Sequence, residues 1–152
     1  MYSNYVYLVD KKASGVHGGS STAGAWQTRT ITDEVEDDGN LCSLAANQFT
    51  LQSGTYRCFI SAPAFETSYH QSRLYNITDG ALELLGTSEW NDGAANDVET
   101  RSFIVGRFTI ASPKVFEVQH RVLASKAVTG YGVGHVWIGN NFYTLVELWK
   151  ET

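Results

Sequence analysis

Ser102–Phe103–Ile104–Val105–Gly106–Arg107–Phe108–Thr109–Ile110 is separated by only Ala111–Ser112–Pro113–Lys114 from Val115–Phe116–Glu117–Val118–Gln119–His120–Arg121–Val122–Leu123. A third run of the same character is Phe142–Tyr143–Thr144–Leu145–Val146–Glu147–Leu148–Trp149–Lys150. Each run is rich in β-branched and aromatic residues, and a short Pro-containing link between two such runs marks a tight antiparallel connection. The class is all-β.

Working outward, further strands are expected at Tyr5–Lys12, Trp26–Thr32, Phe49–Gln52, Tyr56–Ala62, Gln71–Ile77 and Leu82–Ser88. No stretch of useful length repeats apolar residues at i, i+3, i+4 and i+7, so no substantial helix is expected. Short strands punctuated by Gly, Asn, Asp and Pro imply an antiparallel sandwich or jelly roll. At 152 residues, residues 1–152 are read as a single domain with enough chain to bury a core.

The net charge of −5 lacks the basic footprint that binding to nucleic acid requires. No apolar run has the length of a membrane span, so membrane insertion is not expected. The start Met1–Tyr2–Ser3–Asn4 does not resemble a secretory leader. Cys42 and Cys58 lack the spacing of a zinc site, and whether they pair is left to geometry.

If the strands alternate up and down, loop lengths sort the two ends of the sandwich. The connections Ser53–Gly54, Thr78–Asp79–Gly80 and Ala111–Ser112–Pro113–Lys114 are tight and share one end with both termini. The connections Ala13–Ala25, Phe65–Tyr69, Trp90–Asp97 and Ser125–Gly134 are generally longer and share the other. Extra loop residues cost little stability and carry recognition, so the long-loop end is the expected working face.

Trp90, Asn91, Asp92, Asn96 and Asp97 set an aromatic ring beside amides and carboxylates. Tyr69, Tyr131 and His135 stand in other loops of the same end. Flat rings pack on the C–H faces of sugars while amides and carboxylates bond hydroxyls, so these eight residues are the candidate ligand contacts. Trp26 and Trp149 are assigned to core or subunit packing. The acidic run around Asp33, Asp37 and Asp38 is a weaker candidate for calcium, because it lacks the EF-hand spacing; a solvated acidic loop is the simpler expectation. No other cofactor is expected. His70 and His120 are expected in structural or subunit-interface roles, and Arg107, Arg73 and Glu117 are a candidate interface network. No acid/base or nucleophile constellation can be named, so an enzyme is not expected.

The Gly-rich loop, Ala25–Trp26–Gln27–Thr28–Arg29, then Asn47–Gln48–Phe49–Thr50–Leu51–Gln52–Ser53–Gly54–Thr55–Tyr56–Arg57 and the three runs quoted above together resemble the complement C1q and tumour-necrosis-factor-like jelly roll. The resemblance is greatest to the C-terminal tip domains of bacteriophage tail fibres. It implies a jelly roll of about ten strands assembled as a homotrimer. It further implies a non-catalytic tip on a virion that binds a cell-surface glycan or protein receptor. The sequence shows neither collagen repeats nor heptads of a stalk. A monomeric, secreted or cell-surface carbohydrate-binding module, and a purely structural trimerisation or capsid-decoration domain, remain the alternatives.

Overall fold

The computed structural model describes residues 4–94 and 96–152; the Met1–Tyr2–Ser3 start and Ala95 of the Trp90 loop lie outside them. Eleven strands form in chain order: β1 Tyr5–Lys12, β2 Gln27–Thr28, β3 Asp33–Asp37, β4 Cys42–Ala45, β5 Gln48–Leu51, β6 Gly54–Phe65, β7 Tyr69–Asn76, β8 Ala81–Trp90, β9 Glu99–Ile110, β10 Lys114–Val122 and β11 Asn141–Lys150. One sheet runs β3-β1-β11-β6-β9; the other runs β4-β5-β10-β7-β8, with β2 also on β10. Every pairing of these strands is antiparallel. Consecutive strands repeatedly change sheet, as in a jelly roll.

Period-two alternation fixes what each sheet buries. Tyr56, Cys58 and Ile60 of β6, Ile104 and Phe108 of β9, Phe116 and Val118 of β10, and Val146 and Leu148 of β11 all face the core. A chain of rings crosses between the sheets, from Phe49 to Phe116 at 5.9 Å, to Phe108 at 5.4 Å and on to Tyr56 at 5.7 Å. Both cysteines are buried and free.

Two sequence expectations are corrected here. The strand expected over Trp26–Thr32 shrinks to Gln27–Thr28, and the acidic run is an edge strand, not a loop. Carboxylates along a sheet edge block pairing with further strands, which is how such charges are used on edges. Asp33 and Asp37 stand at opposite ends of β3, so the metal alternative is not assembled. Asp33 pairs with Lys11 at 3.1 Å, Asp37 accepts from the backbone N–H groups of Leu41 and Cys42, and Asp38 is exposed beyond the strand. The β4–β5 hairpin is two residues long, with Ala46 and Asn47 both at positive φ, as a primed turn requires.

The long loops do gather at one end. Gly15 and Gly18 donate to the carbonyls of His135 and Gly132, Phe65 donates to Gly130, and Ala124 donates to Thr67.

Candidate functional site

Under that loop end lies a buried cation. Arg29 is 1% exposed and, among the described residues, pairs with no carboxylate. Its guanidinium donates to the Pro63 carbonyl at 2.6 Å, the Tyr131 carbonyl at 3.1 Å and His120 Nδ1 at 2.9 Å, and lies 4.1 Å from the Tyr131 ring centre. Carbonyls, an imidazole and a π face together replace its hydration. Burial lowers its pKa only to about 10, so it stays charged at neutral pH. Arg29 therefore ties β6, β10 and the loop after β10 together.

The same group sets the tautomers of two histidines. His120 Nδ1 accepts from Arg29, so its proton is on Nε2, which donates to His70 Nδ1 at 2.9 Å. His70 Nε2 then donates to Thr100 Oγ1 at 2.7 Å. Burial first, and the Arg29 charge second, push His70 down to about 4 and His120 well below its ordinary value. Both rings are neutral, saturated and inside the fold. They do structural work.

The candidate ligand residues divide. Asn91 is fully buried: its Oδ1 accepts from the N–H groups of Thr67 and Ser68, and its Nδ2 donates to the Ala64 carbonyl. Tyr131 is 6% exposed, stacks on His120 and donates its hydroxyl to Gln27. Those two are corrected to framework, because their polar groups are spent within the chain. Asp92 folds back on its own loop, accepting from the Ala94 N–H at 2.9 Å and from Asn96. Asp97 is exposed at positive φ, its N–H bonded to Glu66. His135 is exposed beside Trp137, on a different loop from Trp90. Tyr69 and Trp90 are 64% and 58% exposed and face each other across β7 and β8.

Tyr69 borders a cleft of about 510 Å³ on the outward face of the second sheet. Across its floor, register places Arg121 of β10 opposite Gln71 of β7, and Gln71 opposite Ser88 of β8. Trp26 forms the far wall. It reaches across β10, where Arg73 lies 4.2 Å from its ring centre and 4.5 Å from that of Tyr75, with Arg73 Nε donating to Gln119. Trp26, assigned from the sequence to core or subunit packing, is half-buried and lines this cleft, not the core. Sequence reasoning missed Gln71, Ser88 and Arg121 as cleft residues. Their signal was the Tyr69–Gln71–Arg73–Tyr75 alternation, which puts rings and polar groups on one outward stripe. Of the candidate network of Arg107, Arg73 and Glu117, the last two are joined through Gln119, and Arg107 is not part of it. Arg107 lies on the other sheet and pairs with Glu151 at 2.8 Å, while Glu117 accepts from Thr28, Gln48 and Gln119.

No family model and no curated protein matches this chain. Solved structures do. Murine APRIL, at pH 5.0, is 8% identical over 97% of this chain and 98% of its own, with a TM-score of 0.66. The globular domain of zebrafish complement 1qA is 14% identical over 98% and 97%, with a TM-score of 0.60. The PRD1 vertex protein P5 is 13% identical over 100% and 99%, with a TM-score of 0.50. At such identities the likeness is one of fold. The chain has the jelly-roll fold of tumour-necrosis-factor-like and complement C1q domains.

Proposed function

We propose that this chain is a non-catalytic, homotrimeric binding domain that serves as the receptor-binding tip of a virion fibre or a similar particle. The observation that carries the proposal is the outward face of the five-stranded sheet. Val105 there is 66% exposed, Phe59 and Phe103 are each 36% exposed, and the two rings stand 5.8 Å apart. Trp149 and Tyr5 extend the same face, their rings 5.4 Å apart. A row of rings and aliphatic groups facing solvent marks an interaction surface, and a second and third copy are the occupants this fold suggests. Three copies would present three loop ends in one direction, so weak contacts add as avidity. The likeness to a vertex protein supports the virion setting.

Light scattering tests the assembly. The expected mass is that of three chains of 16.8 kDa each. A mass of one chain would overturn the trimer and favour a monomeric carbohydrate module, the reading the ring-bordered cleft supports.

A further inference from the structure

We infer that the cleft between Trp26 and Tyr69 binds a carboxylate-bearing saccharide, with Arg121 as the group that selects the acid. This rests on the reading of the chain as a binding domain and moves the recognition site from the loop tips to the outward face of the second sheet.

Three features of the cleft specify the ligand. The first is its walls. Trp26 is fixed by the Arg73 guanidinium, which is itself held by Gln119 and Tyr75. Tyr69 stands with Trp90 as a cross-strand pair on the opposite side. A ring that is already held, as Trp26 is, loses little freedom on binding, and the faces of both rings suit the C–H faces of a pyranose.

The second is the floor. Arg121, Gln71 and Ser88 lie side by side on three hydrogen-bonded strands, so their spacing is set by the sheet. The Gln71 amide nitrogen is anchored to the Gly86 carbonyl at 2.8 Å, which fixes its orientation and leaves its oxygen as an acceptor for a sugar hydroxyl. Ser88 supplies a hydroxyl that can donate or accept. A row of donors and acceptors between two rings matches a ring of hydroxyls better than it matches an apolar peptide side chain.

The third is charge. Most cations near the surface are matched: Lys11 with Asp33, Lys114 with Asp79, Arg57 and Arg107 with Glu151. Arg121 is exposed at the cleft and makes no ion pair or side-chain hydrogen bond among the described residues. Glu89, the cleft's carboxylate, is engaged by the Thr87 hydroxyl at 2.8 Å. A guanidinium left open between two rings fits a planar carboxylate through paired N–H bonds.

The test is an NMR titration of the full chain with sialyllactose and a hyaluronan tetrasaccharide, against lactose and chitotetraose as neutral counterparts. A carboxylated probe is expected to move the Trp26 indole signal and to bind at least about tenfold more tightly than its neutral counterpart, the scale of one charge-assisted hydrogen bond. Arg121→Gln should abolish that preference while leaving the neutral probe's binding unchanged. Tyr69→Ala should weaken both, and both side chains are exposed, so the fold is kept. Equal binding of acid and neutral probes, or a preference that survives Arg121→Gln, would overturn the inference. The mass of the same sample separates it from the functional reading. A trimer to which no probe binds overturns the saccharide cleft and leaves the assembly standing. A monomer with carboxylate-dependent binding keeps the cleft and removes the trimer.

Discussion

His70 Nδ1 lies 2.9 Å from His120 Nε2, and Arg29 decides which of the two carries the proton between them. Because a guanidinium can only donate, His120 must accept at Nδ1 and donate at Nε2. Protonating His70 would set two N–H groups against each other, and protonating His120 would do the same against Arg29. The neutral pair is what the fold selects.

This pair makes the domain acid-sensitive in a defined window. Both histidines have folded values below the unfolded value of about 6.5. The unfolded chain therefore binds more protons between about 6.5 and the folded value, near 4 for His70. Their contribution is whole above that window and lost as pH falls through it, by up to about 1.4 kcal/mol per pH unit for each histidine. Glu151, held down to about 2 by bonds from Arg107 and Arg57, loses its contribution only in stronger acid. Urea midpoints at about pH 7 and about pH 5 should differ clearly, and less so in His70→Gln. A flat profile over that range would contradict the neutral pair.

Much of this architecture is legible in the sequence, and the exceptions share a cause. Ser102–Ile110, Val115–Leu123 and Phe142–Lys150 alternate because one face of each is core, so their strands read directly from the pattern. Asp33–Asp37 lies at a sheet edge with no apolar face to alternate against, so its charges look like a loop. Arg29 looks like a surface residue, and only partners from three distant segments make its burial tolerable. The Trp90 loop was recognisable as aromatic and polar, but no local signal separates Asn91, turned inward, from Asp92, turned to its own loop. The cleft was illegible for the same reason. It joins the segment that leads into β2 with β7, β8 and β10, which only the topology brings together.

Asn91 should behave as a structural residue. It holds the turn in which Glu66 and Ser68 both adopt positive φ, accepting from two backbone N–H groups and donating to a carbonyl. Asn91→Ala leaves those buried groups without partners, at a cost of about 1–3 kcal/mol for each unsatisfied group. Thermal or urea unfolding should show the loss. An unchanged midpoint with reduced ligand binding would instead return Asn91 to the site.

Cys42 and Cys58 should be silent in the native state. Burial pushes both thiols up to about 12, so almost no thiolate is present at neutral pH. A thiol reagent should label neither in buffer and both in denaturant. Rapid native labelling would mean that the sandwich opens readily around β4 or β6.

The proposed trimer can be tested at one exposed residue. Val105 lies in β9 with its side chain turned away from the core, opposite Phe59 of β6, and its neighbours Ile104 and Gly106 face inward. A lysine there keeps the strand pairing and the core, so the unfolding midpoint of an isolated chain should move by no more than about 0.5 kcal/mol, as exposed substitutions do. Between copies the same lysine would be buried without a partner, a cost of several kcal/mol at each repeat of the contact. Val105→Lys should therefore convert a three-chain mass into a one-chain mass in light scattering while the circular dichroism of the sheets is kept. In a trimer built on that face, avidity for an immobilised receptor should fall with the mass even though the cleft and the loop end are untouched. A variant that remains three chains would place the contact elsewhere on the sandwich.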